Sequence, residues 1–360
     1  MRLKRFLTIT LICLIGIGLV ITPALAKKPS LDAWKPQFDP SGAKYKFIVS
    51  NVSHPAIKGV YAGFAIRDEL WKRTTGQMFL DIKPFSMLGG EVEVHNQLQM
   101  GAIQGMGCSS VASTNLGPRF GLVNLPFLID TNEKLEKFIG NKTLYNHFLM
   151  AMDHQGIMAL DVTTYGSYGW ASTEPISSIG DMKKAKFRIA EAAVNQLTYK
   201  QWGVNPVPMP WPDVPVALKQ GVITALDHTD LVCDLTKKFE VAKYYTEINY
   251  AKGLFIWIFN KAWFNSLPAD LQKTFREVIQ DVCADYRAQG AQQEIDVKSK
   301  IKEAGIQIFQ LPPAEMDILR KQGNGVHEKY ADEINQLYKG DTYRPKNFLK
   351  EVQDSVGYKP

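Results

Sequence analysis

Six histidines stand in the 360-residue chain, at His54, His95, His147, His154, His228 and His327. None belongs to a His-Glu-x-x-His run, and no Cys-x-x-Cys pair occurs, so the spacing that brings metal ligands onto one face is missing. A metal centre is therefore not expected. No Gly-x-Ser-x-Gly elbow is present to expose a serine nucleophile. The run Gly105-Met-Gly107-Cys-Ser109-Ser110 has part of a dinucleotide fingerprint, but its last glycine is missing and it follows a third strand, not a first. It reads as a tight turn presenting backbone N–H groups, and no cofactor is implied. The neighbours Asp227 and His228 are the one pair that a secreted hydrolase working in a cleft could use.

The elements that must hold such residues alternate between strand and helix. Tyr45–Val52 reads as a strand and 55–73 as a helix capped by Ser53 or His54. Strands follow at 78–82 and 102–108, with a helix at 91–101 between them. Beyond them come helices at 132–138 and 142–155, a strand at 157–162, a strand at 185–189 and a helix at 193–202. Residues 211–221 read as a helix opened by prolines in its first turn, 224–227 and 253–259 as strands. One helical pattern runs from Pro268 to Lys302 and would be ~50 Å long, enough to span two domains. The tail reads as separate helices at 314–322 and 326–337. This is the pattern of a layered α/β protein.

The N-terminus is laid out as a secretory signal peptide: Arg2, Lys4 and Arg5, an apolar run to Ile21, then Pro23 and Ala24-Leu25-Ala26. Cleavage is expected after Ala26, since the run is short for a membrane span. The formal charge of +6 falls to +3 once those three cations leave. No Lys/Arg stripe interleaved with aromatics remains, so no nucleic-acid partner is expected. Cys108, Cys233 and Cys283 are left, allowing at most one disulfide, or three small buried hydrophobes.

Two segments carry a resemblance. Residues 77–129 contain Lys83-Pro84-Phe85, Leu88-Gly89-Gly90-Glu91, Gln99-Met-Gly101-Ala102-Ile103 and Leu125-Pro126-Phe127-Leu128. Residues 176–227 contain Asp181-Met-Lys-Lys-Ala-Lys186-Phe187-Arg188-Ile189, Pro206-Val-Pro208-Met209-Pro210-Trp211 and Ala217-Leu218-Lys-Gln-Gly221-Val222-Ile223. In order and spacing this set resembles the extracytoplasmic solute-binding proteins of TRAP transporters, the DctP type, over residues 45–310. The resemblance implies a two-lobed periplasmic binding protein (Venus-flytrap) fold with crossing strands and a long domain-spanning helix. The lobes expected are 27–165 plus 254–293 and 166–253 plus 294–360. It further implies a monomer that closes on a small organic acid and delivers it to membrane permease subunits driven by a sodium gradient, without catalysis. A ligand-sensing module of the same fold is the other reading open here, beside the hydrolase.

The same resemblance implies site residues. Arg188 matches the strand arginine that grips the ligand carboxylate, and a planar guanidinium suits that task. Without the resemblance it would read as an exposed strand residue. Trp211 matches an aromatic that packs on the ligand body, or staples a helix start. His228 takes the place of an asparagine that reaches the ligand, or sits in the core beside Asp227 or Asp230. A second arginine common among relatives falls on Tyr168, with Trp170 the alternative across a glycine-rich stretch. Ser109 and Ser110 occupy the loop offering hydroxyls and amides from the first lobe. Asn51 and His54 stand at the cleft mouth, and Glu191 is placed to orient Arg188 or meet a ligand amine. One buried arginine among aromatics points to a monocarboxylate with an apolar or aromatic body.

Overall fold

The computed structural model describes residues 31–337 and 345–359, with the side chains of 334–337 and 345–346 left aside. The expected signal peptide therefore lies outside the described residues. Residues 31–37 belong to a separate N-terminal unit with a 3₁₀ turn at Asp32–Trp34, and the chain from Phe38 onward forms one unit.

Strand–helix alternation opens that unit: Tyr45–Asn51 (β1), Lys58–Arg73 (α1), Met78–Lys83 (β2), Glu91–Gln99 (α2) and Gly105–Ser109 (β3). The first helix starts later than its sequence suggests. His54 Nδ1 accepts from the Ala56 N–H within a turn, and the Lys58 N–H is capped from a distance by Gln293 Oε1 at 2.8 Å. Asn132–Gly140 (α3), Lys142–Leu149 (α4) and Ile157–Ser172 (β4) follow. Next come Ile179–Lys184 (α5), Phe187–Ile189 (β5), Ala193–Gln201 (α6) and Val207–Pro208 (β6). Val214–Lys219 (α7), Ala225–Thr229 (β7), Asp230–Leu235 (α8) and Tyr244–Thr246 (β8) complete the middle. The last part holds Lys252–Asn260 (β9), Lys261–Asn265 (α9), Ala269–Glu303 (α10), Gln307–Phe309 (β10), Pro313–Leu337 (α11) and Pro345–Val356 (α12).

The strands join in the order β2-β1-β3-β9-β4-β7-β5-β6, with β8 between β4 and β10. β1 runs parallel to β2 and β3, whereas β9 runs antiparallel to β3 and β4. All nine residues of β9 are buried, as a strand covered on both faces demands.

β4 is the crossing strand, and at 16 residues it is far longer than the 157–162 expected. Its first half pairs with β9 and its second half, Tyr168–Ser172, with β7. The glycine-rich stretch does not end the strand. A register shift between Thr164 and Ser167 is absorbed at Gly166, whose φ of +105° is open to glycine and strained for other residues.

The 35-residue helix α10 lies across both halves, touching α1, β4 and α8. Behind the β4 break, Glu294 of α10 pairs with the buried Lys252 of β9 and accepts from Ser167 Oγ. α11 is one helix where two were expected. Trp202 Nε1 donates to the Leu319 carbonyl and His327 Nε2 bonds the Pro126 carbonyl, so tertiary bonds hold it through Gly323 and Gly325. α12 packs on α11, α3 and α4, which returns the tail to the first half of the chain. Cys108, Cys233 and Cys283 are all buried free thiols.

Candidate functional site

The two halves of the sheet meet around an inner cavity of ≈ 50 Å³, and Arg188 lies on its wall. Arg188 is the middle residue of β5, between Val207 of β6 and Leu226 of β7, and is only 4% exposed. Its Nε and Nη2 donate to the Met209 carbonyl at 3.0 and 2.7 Å. That bond fixes the guanidinium plane and leaves Nη1 without a hydrogen-bond partner among the described residues. Burial pulls the Arg188 pKa down, and Glu91, Tyr168, Asp227 and Glu191 pull it back up.

Trp211 begins a 3₁₀ turn after Pro210, and its ring centroid lies 5.4 Å from the Arg188 guanidinium. The Lys238 ammonium also sits over this ring, 4.5 Å from its centroid. His228 of β7 stands 4.7 Å from Trp211, ring to ring, and also touches Tyr165 and Tyr168. The Thr229 N–H donates to His228 Nδ1 at 2.9 Å, so the imidazole carries its proton on Nε2. Burial, then the charges of Arg188 and Lys238, hold its pKa well below the usual histidine range. His228 is therefore a neutral donor near pH 7.

Tyr168 lines the cavity and its hydroxyl meets that of Tyr165 at 2.6 Å. Trp170, two residues further on the same strand, does not. Its ring is fully buried against Phe187 and Trp202, and its Nε1 donates to Tyr199 at 2.9 Å. Of the two, Tyr168 faces the cavity and Trp170 the core: a shift of two residues keeps the face but moves the side chain ~7 Å along the strand.

Other expected residues divide. Ser109 lines the cavity, and its N–H donates to Glu91 at 2.6 Å. Ser110 is buried away from it, donating to Asn124 Oδ1 at 3.1 Å. Asn51 is likewise internal, with Nδ2 on the Val60 carbonyl, tying β1 to α1. His54 lines a separate outer chamber, edge-on to Phe85. Glu191 stays outside the cavity wall, and its backbone carbonyl accepts from Asn115.

Two acids line the cavity, Asp227 of the pair considered for a hydrolase and Glu91, which was not expected there. Glu91, the first residue of α2, has its pKa raised by burial, against the Ser109 hydrogen bonds and the Arg188 charge. Asp227 accepts from Tyr250 and Asn195, both at 2.8 Å to Oδ2, and burial still pushes its pKa up to about 6. Glu91 had a legible signal, an acid at a helix start after two glycines. Tyr165 and Phe255 had none, because only the β4 break and the β9 crossing turn them inward.

Asp227 and His228 do not form a catalytic dyad. The carboxylate is committed to Tyr250 and Asn195, and His228 Nδ1 is committed to backbone. Among the described residues no group of three His, Cys, Asp or Glu side chains is placed to hold a metal ion. A wider groove of ≈ 650 Å³ beside α10 is lined by charges that already have partners, Lys252 with Glu294 and Lys298 with Glu247. The inner cavity, with its buried and partly unsatisfied cation, is the candidate site.

The chain belongs to the family of bacterial extracellular solute-binding proteins, family 7, whose model matches residues 50–333. It is 26% identical over 278 residues to the 2,3-diketo-L-gulonate-binding periplasmic protein of Escherichia coli, covering 75% of this chain and 82% of that one. It is 23% identical over 287 residues to an ectoine/5-hydroxyectoine-binding periplasmic protein of Ruegeria pomeroyi, covering 78% and 81%. Among solved structures, a TRAP periplasmic solute-binding protein from Desulfovibrio salexigens with bound orotic acid superposes with a TM-score of 0.80 at 21% identity, covering 87% of this chain and 99% of that one. A sugar-acid-binding protein from Advenella mimigardefordensis in complex with galactonate gives 0.80 at 20% identity, covering 88% and 98%. The two-lobed α/β fold is the one these structures share.

Proposed function

We propose that this protein is the periplasmic component of a TRAP transporter and captures an organic acid between its lobes. The observation that carries the reading is the buried Arg188, oriented by Met209 and facing the cavity with Nη1 uncommitted. A ligand carboxylate completes its hydrogen bonding, with His228 Nε2–H as a second donor. Trp211, Tyr165, Tyr168 and Phe255 offer aromatic surface to the rest of the ligand. The other cavity charges are Glu91 and Asp227, both acidic, so the inner cavity favours one carboxylate over the two of a short diacid. Relatives whose names or bound ligands are a diketo-gulonate, a galactonate and an orotic acid fit this class.

In this reading residues 27–165 plus 254–293 form one lobe and 166–253 plus 294–360 the other, hinged at the β4 break. The loaded monomer hands its ligand to membrane permease subunits running on a sodium gradient. No chemical step is required of it. The signal-peptide layout and the family's periplasmic members support export with cleavage after Ala26.

The test is a thermal-shift screen of the mature protein against sugar acids, oxo acids, aryl carboxylates and short diacids. A true ligand at ~100 times its Kd adds ~2.7 kcal/mol of stability. An unmoved midpoint across the whole panel, with protein first unfolded and refolded to strip any ligand carried through purification, would refute the reading.

A further inference from the structure

On the other side of Trp211 from the inner cavity lies a second chamber of ≈ 290 Å³. Val52, Ser53 and Trp211 line both, so the two adjoin. The inner cavity, at ≈ 50 Å³, holds only a few waters' worth of space, room for a carboxylate and the atoms next to it. A ligand of any length held by Arg188 continues into the outer chamber.

The outer chamber differs from the inner one in charge. No Asp or Glu lines it, whereas Lys238 does, 6% exposed. The Lys238 ammonium donates to the Thr236 carbonyl at 3.1 Å and lies over the Trp211 ring. Among the described residues no carboxylate is within ion-pairing distance of it. The facing charged groups are Arg188, which repels it, and Lys237, which is exposed and 3.8 Å from Glu240. A buried ammonium without a counter-ion is costly, and one carbonyl and one ring do not replace an anion.

The backbone around this chamber is strained as well. Phe85, Ser86 and Lys237, all lining it, have φ of 58°, 53° and 60°, the left-handed region that bulky side chains rarely adopt. Lys237 adopts it in the turn that ends α8, and Phe85 and Ser86 are held in it by hydrogen bonds to the Ser53, Asn51 and Val52 carbonyls.

We propose that the outer chamber is an anion subsite, in which Lys238 receives a second, distal anionic group of the ligand whose carboxylate meets Arg188. The inference rests on the organic-acid reading above and extends it: short diacids are disfavoured, while extended dianions reaching past Trp211 are selected. A carboxylate, sulfonate or phosphate ester offers the same charge-assisted acceptor.

Calorimetry on the mature protein tests it with matched straight-chain acids: hexanoate against adipate, octanoate against suberate, decanoate against sebacate. The distal carboxylate is expected to tighten binding about tenfold or more in at least one pair. Lys238→Met should abolish that gain, so that in each pair the diacid binds no more tightly than its monoacid. A purely structural lysine, bonding the end of α8 through Thr236, would weaken both members of a pair alike. No gain in any pair, or a gain that survives Lys238→Met, overturns the subsite and leaves the organic-acid reading standing. No binding of these six acids to the wild type overturns the subsite, and both readings fall only if the thermal-shift panel is also silent. If Lys238→Met does not fold, Lys238→Arg must keep the gain and Lys238→Gln must lose it.

Discussion

Arg188 is held by Met209: two N–H groups of the guanidinium converge on one carbonyl oxygen, at 3.0 and 2.7 Å. Met209 lies beyond the short strand β6, within a run broken by Pro206, Pro208, Pro210 and Pro212, where few backbone donors compete for that oxygen. The cavity-facing cation is thus oriented in advance, which would lower the ordering cost of binding at the proposed site.

This orientation makes Arg188→Lys a severe change. A lysine ammonium is a point charge and cannot hold Met209 while presenting a second planar edge. We expect Arg188→Lys to weaken ligand binding about ten- to a hundredfold, and Arg188→Ala to cost ~2–5 kcal/mol. Calorimetry with any ligand from the screen reads both. Equal affinities in wild type and Arg188→Ala would remove Arg188 from the site.

Asp227 gives a pH signature. Its pKa is pushed up to about 6 in the folded chain from an ordinary 3.8, so the folded state binds the proton more tightly. Its contribution to stability is fully present below about pH 4 and is lost as pH rises through 6, by roughly 3 kcal/mol in all. Asp230, pushed up to about 7 by burial, acts with the same sign. Urea unfolding at several pH values should therefore show Asp227→Asn losing stability less steeply than the wild type between about pH 4 and 6. Parallel curves for the two proteins would show that Asp227 is ionised throughout that range.

The crossing strand supplies a packing test. A Cβ added at Gly59 would meet the Thr164 carbonyl oxygen at 2.2 Å, and one at Gly290 would meet the same oxygen at 2.8 Å. Helices α1 and α10, which pack on each other, therefore both close on β4 at the residue where its register breaks. Because the obstacle is backbone, neither helix can yield cheaply. Gly59→Ala should destabilise by ~1–3 kcal/mol, the usual cost of overpacking. It should also alter ligand affinity by shifting the hinge, which the distant Gly140→Ala, with open space around its Cβ, should not. A thermal midpoint unchanged in Gly59→Ala would contradict this packing.

Much of this was written locally. The strand of Phe187-Arg188-Ile189, the long helix behind the sheet and the position of Trp211 follow from short-range pattern, because apolar periodicity and proline placement act within a few residues. Glu91 belonged to a motif that was legible, though its burial was not. The sequence alone thus determined the α/β class and, through its resemblance, the family, and it singled out the arginine proposed for the centre of the site. What the tertiary structure decided concerns residues far apart in the chain. Whether Tyr168 or Trp170 faces the cavity depends on pairing between β4 and β7, some 60 residues away, and a two-residue change of place moves a ring from cavity to core. That Asn51 and Ser110 serve internal hydrogen bonds depends on Val60 and Asn124 arriving beside them. No local sequence pattern marks Lys238 out. Only folding buries it beside Trp211 without a carboxylate, because burial and charge pairing are properties of the whole chain's packing and leave no local trace.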